Sequence, residues 1–453
     1  MTSHNAHHAG LQENVTLRIA FVSPNREKLP DPVVPLGVLY MMAAAGQGHD
    51  KSLIDLCFAA DPLETLDRAI AEFAPDLVAI SMRNIQNADY TGTASTLGYY
   101  EDVVRTVRGR TRSPIVMGGG GFSLLPAELM VQFGLDFGFA GEGEEGFAEL
   151  VRRLAAGRTD FTGIPGLYGP GGQPLAAPAR GFMNIGQNIL PERQWVDPRY
   201  YERTGIGSIQ TKRGCPMHCD YCTYPTIEGR VIRKRGIADV ADEWFAMLRD
   251  TPAIEHVFVV DAVFNLPPEY ARELCRVLAQ RGLETPWTCY LNPIRFDDEL
   301  ADAMAAARCA GVEIGSDSGT DAGLLRLRKG FTTQQIREAS VRCRRVGIKD
   351  CHTFVLGVPG ESLEDVERSL DFIESLDPYG AILMAYKDDR EAVDPELAAR
   401  LQAFRAEVLA TIARRARGQL RWSVPSLGVR FNERLFDALR RGGKRGPLWQ
   451  HVA

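Results

Sequence analysis

From about residue 16 the chain alternates between short apolar runs and longer stretches with helical spacing. The runs TLRIAFVS, KSLIDLC, DLVAISM, SPIVMGG and DFGFAG read as strands, and segments such as PLGVLYMMAAAGQGH and GYYEDVVRTVRGR read as the helices between them. Strands separated by helices pair in parallel through crossovers. Residues 16–160 are therefore predicted to form a doubly wound, Rossmann-type parallel sheet, closed by the helix EEGFAELVRRLAAG. The Gly- and Pro-rich stretch GLYGPGGQPLAAP then marks a hairpin and linker over residues 161–200.

A second alternation follows: GSIQTK, EHVFVVD, PWTCYL, GVEIGS, CHTFVLG and GAILMAY, the first five each leading into a helical stretch. Six β/α units fall short of the eight of a closed barrel, so residues 201–392 are predicted to form an open, partial (β/α)6 barrel. Residues 393–453 read as a helical C-terminal region, and residues 1–15 as a polar, disordered tail. The fold class is α/β throughout.

Composition narrows the field. A chain of 453 residues with 45% hydrophobic and 24% charged residues is a globular protein of two or three domains. A net charge of -6 argues against a nucleic-acid footprint. No run of 18 apolar residues is available to span a membrane, and the first 14 residues lack the apolar segment of a secretory signal. A cytoplasmic setting is expected, where thiols stay reduced and clustered cysteines signal metal or redox chemistry.

Such a cluster exists. TKRGCPMHCDYCTYP holds Cys215, Cys219 and Cys222, directly after the first strand of the second series. That places them at the carboxyl mouth of the barrel, where catalytic groups gather. Spacings of three and then two residues let one loop wrap three thiolates around a single soft centre. Zinc would need a fourth ligand, and the only near candidate, His218, lies beside Cys219 and is poorly placed to turn to the same ion. An iron–sulfur cube held by three thiolates would keep one iron open to a small molecule. Cys57, Cys275, Cys289, Cys309, Cys343 and Cys351 sit in apolar contexts and read as packing residues.

On this motif the barrel resembles the radical S-adenosylmethionine (SAM) superfamily. The resemblance implies a 4Fe–4S cluster on Cys215, Cys219 and Cys222, with SAM chelating the fourth iron and yielding a 5′-deoxyadenosyl radical on reduction. It extends to FVVDAVFN, VEIGSDSG and FVLGVPGE at later strand ends. By the same resemblance the backbone of Tyr221 meets the adenine, Asp261 holds the SAM ammonium, and Glu313 and Ser316 take the ribose or methionine portion. Gly357, Pro359 and Gly360 shape the backbone beside the adenine.

GEGEEG, residues 141–146, spells the dinucleotide fingerprint, but it follows the fifth strand rather than the first. It would also set Glu142, Glu144 and Glu145 against a pyrophosphate, so it is rejected. On PLGVLYMMAAAGQGHDKSLIDL, MGGGGFSLLPAEL and FAGEGEEGF the first domain resembles the cobalamin-binding modules that precede many radical SAM barrels. Two departures argue against the cofactor. The loop SPNREKLPDP lacks the lower-ligand histidine, and MRNIQN sets bulky Arg83 and Asn84 where a corrin would rest. Turnover is expected not to need cobalamin.

As a whole the sequence is similar to the radical SAM 1,2-diol dehydratases of aminoglycoside biosynthesis. That resemblance implies a lyase acting on paromamine. The C4′ hydrogen is abstracted and the C3′ hydroxyl leaves as water. The 3′-deoxy-4′-ketone then goes to a separate NADPH-dependent reductase, and flavodoxin or a chemical reductant supplies the electron. The acid and base are sought among Asp317, Tyr386, Lys387 and Asp388, at strand exits, with His352 facing the barrel's lower end or core. An acidic mouth of Asp317, Asp388 and Asp389 is expected to pair with the substrate's ammonium groups. The alternative is a cobalamin-dependent radical SAM C-methyltransferase acting on a natural-product intermediate.

Overall fold

The computed structural model describes residues 15–28, 31–85, 96–176, 189–392, 394–415, 422–423 and 436–451. The expected tail, part of the linker and much of the C-terminal region fall outside them. The chain divides into two compact units. Met1–Pro24, Gly37–Arg83 and Glu101–Met183 make one, and Asn25–Leu36, Asn84–Tyr100 and Asn184–Ala453 the other.

The first unit is a six-stranded sheet. Its spatial order is Asp50–Asp55, Arg18–Ser23, Leu77–Ser81, Ile115–Gly118, Phe137–Phe139 and Leu167–Tyr168. The first five strands are parallel, in the doubly wound order expected. Arg18–Ser23 is an interior strand, paired on both sides, and Ile19, Ala20, Phe21 and Val22 are all buried whichever face they point to. The sixth strand runs antiparallel against Phe137–Phe139 and comes from the stretch read as a hairpin, where Tyr168 bridges Pro174. Gly146 of GEGEEG packs the closing helix, Glu144–Ala155, against the sheet. A Cβ there would lie 2.5 Å from the Phe139 ring and 2.6 Å from the Pro165 carbonyl.

The second unit is an open parallel sheet of seven strands. Six follow in chain order: Ile206–Ile209, His256–Val259, Trp287–Leu291, Cys309–Asp317, Lys349–Leu356 and Gly380–Ala385. The seventh, Trp422–Ser423, pairs with Gly380–Ala385 and lies in the region expected to be purely helical. Two residues carry too little periodicity to be read from sequence. Side chains alternate across each strand. Phe354, Leu356 and Leu383 turn outward to meet Val366, Leu370, Ile373 and Val408 of the helices Leu363–Leu376 and Pro395–Arg415. The intervening Glu313, Thr353, Ile382 and Met384 are only partly buried and face the lumen.

The C-terminal turn Leu448–His451 packs against strand starts at the barrel's lower end. The Trp449 indole Nε1 donates to Glu313 Oε1 (2.9 Å), Tyr379 Oη donates to the Gln450 carbonyl (2.9 Å), and a Cβ on Gly311 would touch the Trp449 ring at 2.6 Å. Among the described residues no helix is long and apolar enough to cross a membrane.

Candidate active site

After Ile206–Ile209 the chain forms a short antiparallel ribbon, Lys212–Arg213 against Arg233–Lys234, and the cysteine loop is the excursion between its strands. Only glycine fits at 214. Its φ is +88°, and a Cβ would sit 2.1 Å from the Val231 carbonyl oxygen. Cys215 N–H then donates to the Gly229 carbonyl (3.0 Å), and the Cys215 side chain packs with Val263 and Leu266. Cys219 and Cys222 are partly exposed. The Asp220 N–H donates to the Leu327 carbonyl (3.1 Å), which pins the loop to the segment after the fourth strand.

Burial pushes the Cys222 thiol up to about 11, with Cys219 and Cys215 adding to the rise, and burial likewise raises Cys215. Burial disfavours the thiolates of Cys215 and Cys222, and a cationic centre held between the thiols would relieve that cost. No group of three or more His, Cys, Asp or Glu among the described residues is set to hold a single metal ion. An iron–sulfur cube is wider than one ion and suits three thiols spread over a loop.

Asp317 lies at the exit of the fourth strand, with φ of +62°. Its carboxylate accepts from Tyr221 Oη and from the ammonium of Lys329, a residue sequence reasoning missed. Lys329 Nζ lies 3.4 Å from Tyr221 Oη and over the rings of Tyr221 and Phe331, 5.6 Å from each centroid. Asp317 and Tyr221 are thus brought together, and Asp317 is buried and neutralised rather than open to a substrate cation.

Asp261 is placed differently from expectation. It is ion-paired with Lys212 (2.7 Å) in full burial and also accepts from the Thr211 N–H (2.7 Å) and hydroxyl. That set satisfies the carboxylate and removes it from the groups able to hold the SAM ammonium. Ser316 turns toward the helices, where its hydroxyl meets His352 Nδ1 (2.7 Å). His352 Nε2 contacts Ser340 (2.9 Å) and Asp350 (3.2 Å), so His352 is a core residue. Glu313 has Trp449 as its partner, below the mouth, and burial pushes its carboxyl up to about 7.

The turn at Gly357, Pro359 and Gly360 is held by Glu361, whose carboxylate accepts from the Gly357 and Val358 N–H groups and leaves Pro359 and Gly360 exposed. Tyr386 lines the mouth with Leu327, Val355, Val358 and Met384. Asp388 is paired with Arg390 (2.6 Å), which holds its carboxyl below the usual range. The side chain of Asp389 lies outside what the structure describes.

In the first unit, the carboxyl ends of the fourth and fifth strands carry glycines in place of side chains. Gly118, Gly119, Gly120 and Gly141 are only partly buried. Ser123 staples the two ends together, accepting from the Gly141 N–H (2.9 Å) and donating to the Gly119 carbonyl (2.8 Å). A backbone-walled edge of this kind fits the tail of a large cofactor such as cobalamin. Asn84, expected to obstruct a corrin, instead donates to Glu27 Oε2 (3.0 Å) and its carbonyl accepts from Thr96, while Arg83 is exposed.

A thiol-bearing partial barrel joined to a glycine-edged parallel-sheet domain defines a SAM enzyme with a corrin-binding module. Residues 209–373 match the radical SAM superfamily and residues 23–151 the B12 binding domain. The chain is 30% identical to the tryptophan 2-C-methyltransferase of Streptomyces laurentii, over 79% of this chain and 70% of that protein. It is 28% identical to an uncharacterized methyltransferase of Pyrococcus horikoshii, over 80% and 78%. The radical SAM methyltransferase TsrM of Kitasatospora setae, solved with cobalamin and a 4Fe–4S cluster, superposes with a TM-score of 0.82 over 97% of both chains at 23% identity. With tryptophan and a SAM analogue bound, that enzyme matches at 29% identity and a TM-score of 0.71, over 81% of this chain and 72% of that one. This chain belongs to the radical SAM methyltransferases that carry a B12-binding domain.

Two expectations are thereby corrected. The diol dehydratase acting on paromamine is overturned, because the relatives are methyltransferases, and the lyase falls with it. The expectation against cobalamin is reversed as well. The missing histidine concerns a ligand to cobalt, not the backbone cradle.

Proposed function

We propose that this protein is a cobalamin-dependent methyltransferase that uses SAM and a 4Fe–4S cluster to methylate carbon in a small aromatic natural-product precursor. The observation that carries it is the 30% identity to a tryptophan 2-C-methyltransferase across both domains. When bound, the cluster and SAM supply the methyl source and cobalamin its carriage.

The chain's own residues supply place and exclusion. Cys215, Cys219 and Cys222 hold the cluster. The backbone of Tyr221 and the turn at Gly357, Pro359 and Gly360 border the adenine. The glycine edge at 118–120 and 141 would cradle the corrin's tail. Leu327, Val355, Met384 and Tyr386 form an apolar wall at the mouth, and lower in the lumen Phe258 and Tyr290 pack edge-to-face with centroids 5.1 Å apart. Such walls suit an aromatic ring better than a polycation. A one-electron donor of the flavodoxin class, or a chemical reductant, is the partner this chemistry requires.

The test is anaerobic reconstitution with iron and sulfide, with and without hydroxocobalamin, followed by incubation with SAM and tryptophan. The expected result is S-adenosylhomocysteine and a C-methylated indole, formed only in the cobalamin-loaded sample. Loaded enzyme that converts SAM only to methionine and 5′-deoxyadenosine, with no methylated product, refutes the proposal.

A further inference from the structure

The side-chain network of Tyr221, Asp317 and Lys329 has no place yet in binding or turnover. It joins three segments. Tyr221 lies on the cysteine loop between two thiols, Asp317 ends the fourth strand, and Lys329 lies in the connection before the helix Thr333–Val346. Two members or neighbours hold left-handed backbone without being glycine: Asp317 at φ +62° and Arg328 at φ +53°. Such conformations are strained and persist where the surroundings over-determine them. Here the surroundings are one another. Arg328 turns the chain so that the next residue, Lys329, points inward, and the bend at Asp317 presents its carboxylate to both partners.

Lys329 is also buried, with its ammonium beneath the loop. Gly315 lies alongside it, where a Cβ would stand at ordinary contact distance, 3.7 Å from Nζ. The charged groups that bear on Lys329 are Asp317, Cys219 and Cys222. Its Nζ lies 3.4 Å from Tyr221 Oη and 5.6 Å from that ring's centroid, and Tyr221 sits between Cys219 and Cys222 on the loop.

We propose that Lys329, held by Asp317 and Tyr221, is a positioning and electrostatic residue for the cluster: it latches the cysteine loop onto the fourth strand and places a fixed positive charge beside the thiolates. The proposal rests on the cluster assignment and not on the identity of the methyl acceptor. A cation near the cluster favours the form with one more electron, so the latch raises the midpoint potential. The carboxylate of Asp317 opposes part of that field.

The two substitutions that break the pair therefore act in opposite directions. In anaerobically reconstituted protein, Lys329→Met is expected to lower the cluster's midpoint in an EPR-monitored redox titration, and Asp317→Asn to raise it. Lys329→Arg should stay near wild type. Tyr221→Phe removes one tie of the loop and keeps the charge. It should leave the midpoint unchanged while cluster iron is lost to a chelator several-fold faster. A purely structural role would move both charge variants the same way, by loosening the loop. Same-direction shifts, or none in either, overturn the proposal. If Lys329→Met fails to fold, Asp317→Asn decides alone, since an unchanged or lowered midpoint in it is equally fatal. Wild-type protein that assembles no cluster would refute the cofactor assignment itself, which iron and sulfide analysis reads separately.

Discussion

Glu313 offers a stability experiment whose sign and size both come from the structure. The carboxyl lies in the lumen wall with the Trp449 indole as hydrogen-bond donor, and burial pushes its pKa up from an ordinary 4.5 to about 7. Below pH 4.5 the group is protonated in both folded and unfolded chains and contributes no pH dependence. Between 4.5 and about 7 the unfolded chain has lost its proton while the folded chain keeps it. Stability therefore falls as pH rises through this window, and the loss is complete above it. At about 1.4 kcal/mol per pH unit the full effect is about 3.5 kcal/mol, and the remaining solvent contact of Glu313 trims it to about 2–3 kcal/mol. Glu313→Gln keeps an oxygen to accept from the indole and cannot titrate. Urea unfolding of both proteins near pH 5 and near pH 8, followed by tryptophan fluorescence, gives the comparison. The variant should gain on wild type by about 2 kcal/mol or more between the two conditions, worth several degrees in Tm. A difference that stays flat across that range, or grows toward acid, would show that Glu313 is ionised in the folded protein and that the lumen is wetter than described.

Replacing Cys215, Cys219 and Cys222 together with alanine should abolish iron uptake while shifting the unfolding midpoint little, because two of the three are partly exposed. Cys309→Ala, in the core, should leave iron per chain unchanged. Lys212→Met should cost about 3–5 kcal/mol in a denaturation curve, since it strands Asp261 in full burial, and adding Asp261→Asn should recover part of that loss. Asp388→Asn breaks a pair whose arginine is mostly exposed and should change stability by less than about 1 kcal/mol, with methyl transfer retained.

The elements legible in the sequence are those whose signal is local. Alternating apolar runs give parallel strands, and three cysteines in eight residues give a loop at a strand exit, because neighbours in sequence suffice to define both. What was missed depends on distant partners. Lys329 bonds Asp317 across 12 residues and Tyr221 across 108, and LRKGF has no spacing that marks a buried ammonium. Asp261 looked available because it stands at a strand end. The ribbon that turns Lys212 onto it is two residues long, below the length at which periodicity can be seen. Trp449 meets Glu313 across 136 residues, so the closing of the lower barrel left no trace in either segment.

The choice of reaction was hidden for a related reason. A dehydratase and a methyltransferase of this superfamily share the cysteine loop, the barrel and SAM, and they differ here in whether the first domain carries a corrin. The cradle proposed for that cofactor is backbone, presented by Gly118–Gly120 and Gly141, so it puts no reactive side chain into the sequence. Bulk at Arg83 and Asn84 could be counted without its direction, and Asn84 proves to be turned onto Glu27. The partners of the expected acidic mouth are just as invisible in the sequence, and the side chain of Asp389 lies outside what the structure describes. Asp317 is held by Lys329, Asp388 by Arg390 and Glu391 by Arg405. Bringing an aminoglycoside's ammonium groups to these carboxylates would mean displacing guanidinium or ammonium groups already in place, with no net gain of ion pairs. An acceptor with an aromatic face displaces none of them, since it needs only the apolar wall of Leu327, Val355, Met384 and Tyr386.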